Sequence, residues 1–227
     1  MIRLVLKLKH LIESLRVKRT LKGFKYCGQG VTLLPPYKFA GGNNIIIEDF
    51  VRIMPNSIFL IIGCNLIIKK YTAASYNLTI ISSNHKPTVG VPTYFNNALH
   101  INEVVKGDIF VGEDCWLGVN VTLLSGAHLS RGCVVGANGV VNKEFPPYSV
   151  IVGCPARIIA TKFTIEQILE HEKKMYPKEE RLSEEYLRDV FDNYFVGLKS
   201  LGTSNITEDE IKRLREFYSE VNANLIF

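Results

Sequence analysis

Histidine is scarce in this 227-residue chain, with five copies, and tryptophan occurs once. So few imidazoles confine any acid–base group of that kind to a handful of positions. The five cysteines, at 27, 64, 115, 133 and 154, form no C-x-x-C pair and no metal-like cluster, which argues against a zinc ribbon or a dithiol redox centre. No metal is expected, and buried free thiols in a reducing compartment explain the cysteines. No apolar run is long enough to cross a bilayer. The opening MIRLVLKLKHLIESLRVKRTLKGFK lacks the small-residue cleavage site of a secretory leader, and Lys7 and Lys9 interrupt what would be its apolar region. A cytoplasmic chain is the expectation. With 47% hydrophobic and 22% charged residues, the chain can bury a sizeable core in one or two domains.

Acidic residues are nearly absent from the first 25 positions. Eight lysines and arginines stand there against Glu13 alone, a net of +7, so the rest of the chain carries −2 of the total +5. Leu4, Leu8, Leu11, Ile12 and Leu15 recur at helical spacing, which predicts a basic amphipathic helix over 1–25. Packing on the body of the protein or on a neighbouring subunit is one use for such a helix; weak contact with an anionic membrane surface is another. No nucleic-acid partner is expected, because no aromatics are interleaved with the charges.

The strongest pattern is a period of six. Val111, Leu117, Leu123, Leu129, Val135 and Val141 are aliphatic at every sixth residue, and four positions after the first five stand Cys115, Val121, Ala127, Cys133 and Gly139, mostly small. An α-helix repeats at about 3.6 residues and a half-buried strand at 2, so neither accounts for it. One large and one small inward residue per six describes a short strand and a tight turn, and such units stack into a parallel β-helix, here of about five coils. A looser hexad precedes it over 27–83, with Ile47 and Ile53 in one phase and Ile62, Ile68, Ala74 and Ile80 in another. The pattern stops at His85 and resumes at Val105, leaving a long loop over 86–104; such an excursion from a solenoid is usually functional. Beyond Ile159 the sequence turns charged and helical. Thr164 with Gln167 and Thr207 with Glu210 have capping-box spacing, and the amphipathic stretch SEEYLRDVFDNYFVGLKSL between them ends near Gly202. The expected organisation is a basic segment 1–25, a β-helix domain 26–160 and a helical extension 161–227.

Residues 105–160 resemble the C-terminal half of the left-handed β-helix hexapeptide-repeat acyltransferases. The V-G-x-x-x-W-L-G turn from Val111, V-V-x-K-x-x-P-P (Val140 to Pro147) and G-C-P-A-R (Gly153 to Arg157) carry the resemblance. It is similar in particular to the galactoside, maltose and xenobiotic acetyltransferases and to the O-acetyltransferases of polysaccharide biosynthesis. The resemblance implies a mainly β fold with a left-handed parallel β-helix, although crossovers between parallel strands are ordinarily right-handed. It also implies acetyl-CoA as acyl donor, a sugar or glycan acceptor, direct transfer aided by a histidine base, and a homotrimer with sites between subunits. Amino-sugar N-acylation and a non-catalytic β-helix scaffold are the alternatives. A γ-class carbonic anhydrase is disfavoured, since the H-x-x-x-x-H pair is missing; in serine acetyltransferases the helical domain precedes the β-helix instead of following it.

The same resemblance places the base at His85, in S-S-N-H where the repeat stops; His100 is the second candidate, while His10, His128 and His171 read as surface residues. Glu103 is the nearest acidic candidate to orient the base. Asn84 would hold the acceptor or an oxyanion, and Asn56 would face the same cleft; a turn role suits either asparagine equally. For the donor, Trp116 corresponds to the aromatic beside the pantetheine arm, while Gly118, Ser125 and Ala137 match turns that approach it closely. Arg157, assisted by Lys143, corresponds to the residue that meets the nucleotide phosphate. Ala160 replaces a second arginine of the galactoside enzymes, with Lys162 as a substitute.

Overall fold

Strands of two to four residues cannot pair stably within one turn of chain, so they pair between turns. The computed structural model describes residues 2–95 and 107–220, without the side chains of 2–7, 9, 10 and 218–220. Val105, His100, Glu103 and the 96–104 part of the expected loop lie outside the described residues. Two compact units result, Met1–Arg157 and Ile158–Phe227.

In the first unit, three strands make each coil. The first face stacks β1 (Tyr26–Cys27), β4 (Ile45–Ile47), β7 (Leu66–Ile68), β10 (Ile109–Val111), β13 (His128–Leu129) and β16 (Glu144–Phe145). The second stacks β2 (Thr32–Leu33), β5 (Arg52–Ile53), β8 (Ala73–Ala74), β11 (Trp116–Leu117), β14 (Val134–Val135) and β17 (Ser149–Val152). The third stacks β3 (Tyr37–Ala40), β6 (Ser57–Leu60), β9 (Thr79–Ile81), β12 (Thr122–Leu124) and β15 (Val140–Val141). Neighbours are parallel, and pairs such as Leu117↔Val135 and Leu123↔Val141 repeat at a spacing of 18. The result is a parallel β-helix of six coils, one more than the hexad count suggested, because the early coils are irregular in length.

The inward rows follow the period of six. Val111, Leu117, Leu123, Leu129, Val135 and Val141 are all fully buried, each worth about 1.5–3 kcal/mol on transfer from water. In the early coils Ile47 and Ile53 are followed inward by Phe59, whereas Ile62 is 45% exposed. The two phases seen there are therefore a single row, interrupted by three extra residues in the corner between Phe59 and Ile68. Cys115, Val121, Ala127 and Cys133 fill the small inward slot, and Cys115 lies directly over Cys133 in the ladder. Burial, followed by the hydrogen bond with Cys133, holds the Cys115 thiol well above its ordinary pKa.

At the first end, helix α1 (Ile2–Lys22) rests on the opening coil: the Thr20 and Tyr37 hydroxyls are hydrogen-bonded at 3.0 Å. Phe24, Phe39 and Phe59 continue the core there, with Phe39 and Phe59 stacked at 4.5 Å. Among the described residues no helix is long and apolar enough to cross a membrane.

Strand β18 (Arg157–Thr161) leads into the second unit, which holds α2 (Ile165–Met175), α3 (Glu184–Tyr194) and α4 (Glu208–Glu220). Thr164 and Gln167 form a reciprocal capping box, and Thr207 and Glu210 exchange the same bonds. The amphipathic stretch after Ser183 ends its helix at Tyr194, earlier than Gly202, because Gly197 takes a left-handed turn (φ +74°). Leu201 and Gly202 instead bond back to Thr161 and Lys162.

The two inward thiols give the fold a direct chemical check. At pH 8 a thiol reagent should label exposed Cys154 rapidly in the native protein and reach Cys115 and Cys133 only on unfolding, since both are buried out of its reach and burial also disfavours the Cys115 thiolate. Equal labelling rates for all five cysteines would rule out this core.

Candidate functional site

Two corners of the β-helix collect the chemistry, one on each side of the third face. The first corner joins the second face to the third. Trp116 stands outward on β11, 43% exposed between the smaller Ala73 and Val134 of adjoining coils. Gly118 follows it at the corner, and exposed Ala137 takes the corresponding turn one coil on. The cis Cys154–Pro155 bond lies in a turn pinned to β15, where Ala156 donates to the Val140 carbonyl and Val140 donates to that of Gly153, each at 3.0 Å. This pinning delivers exposed Arg157 to the same edge.

Asn56 also lies on this first edge. It is an exposed turn residue with φ of 66°, donating its N–H to the Pro36 carbonyl at 2.6 Å. Sequence reasoning missed its companions. Asn77, Asn120 and Asn138 occupy successive turns with φ of 63°, 60° and 60°, a conformation asparagine tolerates better than most residues. Asn77 Nδ2 donates to Asn120 Oδ1 at 2.7 Å, and Asn120 Nδ2 donates to Asn138 Oδ1 at 3.1 Å. The signal was available: each of the four stands three residues after an inward residue, Ile53, Ala74, Leu117 or Val135.

The second corner joins the third face to the first. His85 stands here, four residues beyond the end of β9, exposed, and its ring makes no hydrogen bond among the described residues. Its backbone N–H donates to Asn84 Oδ1 at 2.9 Å, which occupies that oxygen and leaves the Nδ2 donors of Asn84 for an incoming group. The pairing of Ile81 with Leu124 carries Ser125 to the level of Ser82, whose hydroxyl donates to the Ile62 carbonyl at 2.9 Å. Lys143 lies on the same edge one coil later, exposed, with its Nζ 5.3 Å from the centre of the Phe145 ring. The pairing of Leu60 with Ile81 brings half-buried Cys64 to the level of His85 one coil earlier. Burial raises its pKa, the Ser82 hydroxyl opposes this, and Asp108 reinforces it.

The sequence-predicted residues therefore divide. Trp116, Gly118, Ala137, Arg157 and Asn56 share the first edge, and Asn84, His85, Ser125 and Lys143 share the second. The seven steps from Gly118 to Ser125, at no more than about 3.3 Å each, put the edges at most roughly 23 Å apart. Between them the outward side of the third face mixes aliphatic and polar residues: Ile58 and Leu60 are 36% and 39% exposed, Ile81, Leu124 and Val140 are half-buried, and Lys38, Thr79 and Thr122 stand in the same row as Ile58 and Val140.

No family model matches the chain. A "Probable macrolide acetyltransferase" of Lysinibacillus sphaericus is 34% identical over 119 residues, 47% of this chain and 66% of that protein. An Escherichia coli protein that bears the name of a lipopolysaccharide biosynthesis O-acetyl transferase is 32% identical over 136 residues, 60% of this chain and 63% of that protein. The chain thus spans just under two thirds of these relatives. A Vibrio cholerae hexapeptide-repeat acetyltransferase, solved in complex with acetyl coenzyme A, superposes with a TM-score of 0.55 at 24% identity, over 67% of this chain and 79% of its own. That likeness shows the fold.

Gly118 has a structural reason to be glycine. A Cβ placed there would lie 2.8 Å from the Ala137 nitrogen and 3.0 Å from the Val135 carbonyl oxygen, both backbone atoms of the next coil. Gly118→Ala is accordingly expected to destabilise the protein by about 1–3 kcal/mol through overpacking, with or without any ligand. A urea titration with an unchanged midpoint would contradict this and return Gly118 to a purely ligand-facing role.

Proposed function

We propose that this hexapeptide-repeat chain, built on the β-helix of the acetyltransferases it resembles, transfers an acetyl group from acetyl-CoA directly to a hydroxyl of a sugar or glycan. The observation that carries the reading is His85: an exposed imidazole at the corner where the solenoid opens into its one long excursion, beside an asparagine with free donors. The His85 ring takes the proton of the acceptor hydroxyl as its oxygen attacks the thioester carbonyl. The tetrahedral intermediate then collapses with cleavage of the C–S bond, and the imidazolium returns the proton to the departing thiolate. Asn84 Nδ2 suits the developing oxyanion, and a hydrogen bond there strengthens as charge develops.

The first edge has the character of a donor groove. Trp116 offers a flat apolar surface for the pantetheine arm, Ala137 keeps the edge low, and Arg157 supplies a cation suited to a phosphate. Asn56, in the asparagine row on this edge, serves the turn. Because His85 and this edge lie on opposite sides of the third face, a complete site needs the second edge of one subunit against the first edge of another. A homotrimer with three such sites satisfies this, and Ser125 and Lys143 then line the acceptor side with His85. The named relative in lipopolysaccharide biosynthesis supports a glycan hydroxyl as acceptor. Amino-sugar N-acylation uses the same base and groove, and a screen of alcohols and amines with acetyl-CoA, followed by release of free thiol, separates the two.

His85→Ala is expected to lower turnover by roughly 100-fold or more while acetyl-CoA still binds, as loss of a general base does. Near-normal turnover in the folded variant would remove His85 from the chemistry.

Sites shared between subunits have a second signature. His85→Ala and Arg157→Glu chains, each weakly active alone at acetyl-CoA below KM, should regain about a quarter of wild-type activity when unfolded together and refolded as mixed trimers. That fraction of interfaces pairs an intact second edge with an intact first edge. No gain over the unmixed variants would place the whole site within one chain.

A further inference from the structure

Helix α1 has two opposed faces, and the first coil uses only one of them. Glu13, Val17, Thr20 and Leu21 are its half-buried positions, spaced four, three and one residues apart along one side. On this side lies the groove that α1 forms with Pro35, Pro36 and Tyr37. At about 100° per residue, Leu8, Leu11, Ile12 and Leu15 fall on the opposite side, and they are 57%, 57%, 42% and 56% exposed. The same side continues toward the body of the protein with Lys18 and Lys22, both exposed, while Arg19 reaches the groove beside Pro35, Pro36 and Tyr37. The only acid of the first 25 residues, Glu13, is turned away from it.

We infer that this outward face of α1 is a docking surface for an anionic membrane: the Leu8, Leu11, Ile12 and Leu15 ridge enters the interface and Lys18 and Lys22 meet lipid phosphates. Four large aliphatics in a row have nothing to bury against in water, and a surface of the opposite charge is the complement of their basic flank. A copy of the same helix is a poor occupant, since it brings the same seven cations and one acid. Nucleic acid fits less well, because the ridge is aliphatic and offers no aromatic for base stacking. The helix is too charged to span the bilayer, so the contact is peripheral, reversible and sensitive to salt.

Co-sedimentation of the full-length protein with vesicles tests this independently of the acetyl-transfer reading. Binding to phosphatidylcholine vesicles containing about a third phosphatidylglycerol should exceed binding to pure phosphatidylcholine by at least about tenfold at low salt, and about 0.5 M salt should abolish most of it. Two variants divide the face: Leu8→Ser/Leu11→Ser/Leu15→Ser, and Lys18→Glu/Lys22→Glu. Each should lose the anionic preference while keeping its melting temperature, its mass by light scattering and its activity on a soluble acceptor, because these side chains are exposed. Equal binding to both vesicle types, no binding to either, or retention of binding by the serine variant would overturn the proposal. A fall in mass of the serine variant would overturn it in favour of a second copy as the occupant.

Discussion

Everything in the first unit depends on the backbone hydrogen bonds between one coil and the next. No coil is stable alone, because its strands are two to four residues long and pair with nothing inside it. Stacking fixes the vertical position of every residue to the one a turn away, and the inward rows, the asparagine turns and the bar to a side chain at Gly118 follow from that registration. Faces are given over to pairing and core. The corners have room for side chains that do something else, which is why the described candidate residues lie at corners, except Trp116 and Arg157, which lie on β11 and β18 beside one.

The same registration makes straight edges. An edge along one corner keeps its shape over several coils with no loop to hold it. His85 at the next corner is separated from that edge by the width of the third face, whose inner strands are hydrogen-bonded to coils on both sides. The proposed transfer therefore calls for two copies, the second edge of one against the first edge of another.

The period of six was legible because the coils from Val111 to Val141 keep one length, so those residues could be read by counting alone. The early coils differ in length at their corners, and there counting failed: Ile62 took the place of Phe59 in the reading, although both are apolar and only the corner insertion separates them. The division of the site was not legible for a different reason. The chain visits the two edges alternately, so Gly118, Ser125, Ala137, Lys143 and Arg157 look like one series in the sequence while belonging by turns to opposite corners. The asparagine row was visible in principle, but isolated asparagines read as ordinary turns until their common offset from the core row is noticed.

Strand β10 pairs with β7, and β12 with β9, as though residues 86–107 did not exist: Ile109 sits opposite Leu66, and Leu124 opposite Ile81. The coils on either side of the excursion meet directly. Lengthening, shortening or exchanging that segment therefore leaves the pairing of these strands as it is. Loop closure makes little demand for added length either, since its entropic cost grows only with the logarithm of the loop. The excursion is thus a place where the chain can change by insertion and deletion while the solenoid on either side of it is kept.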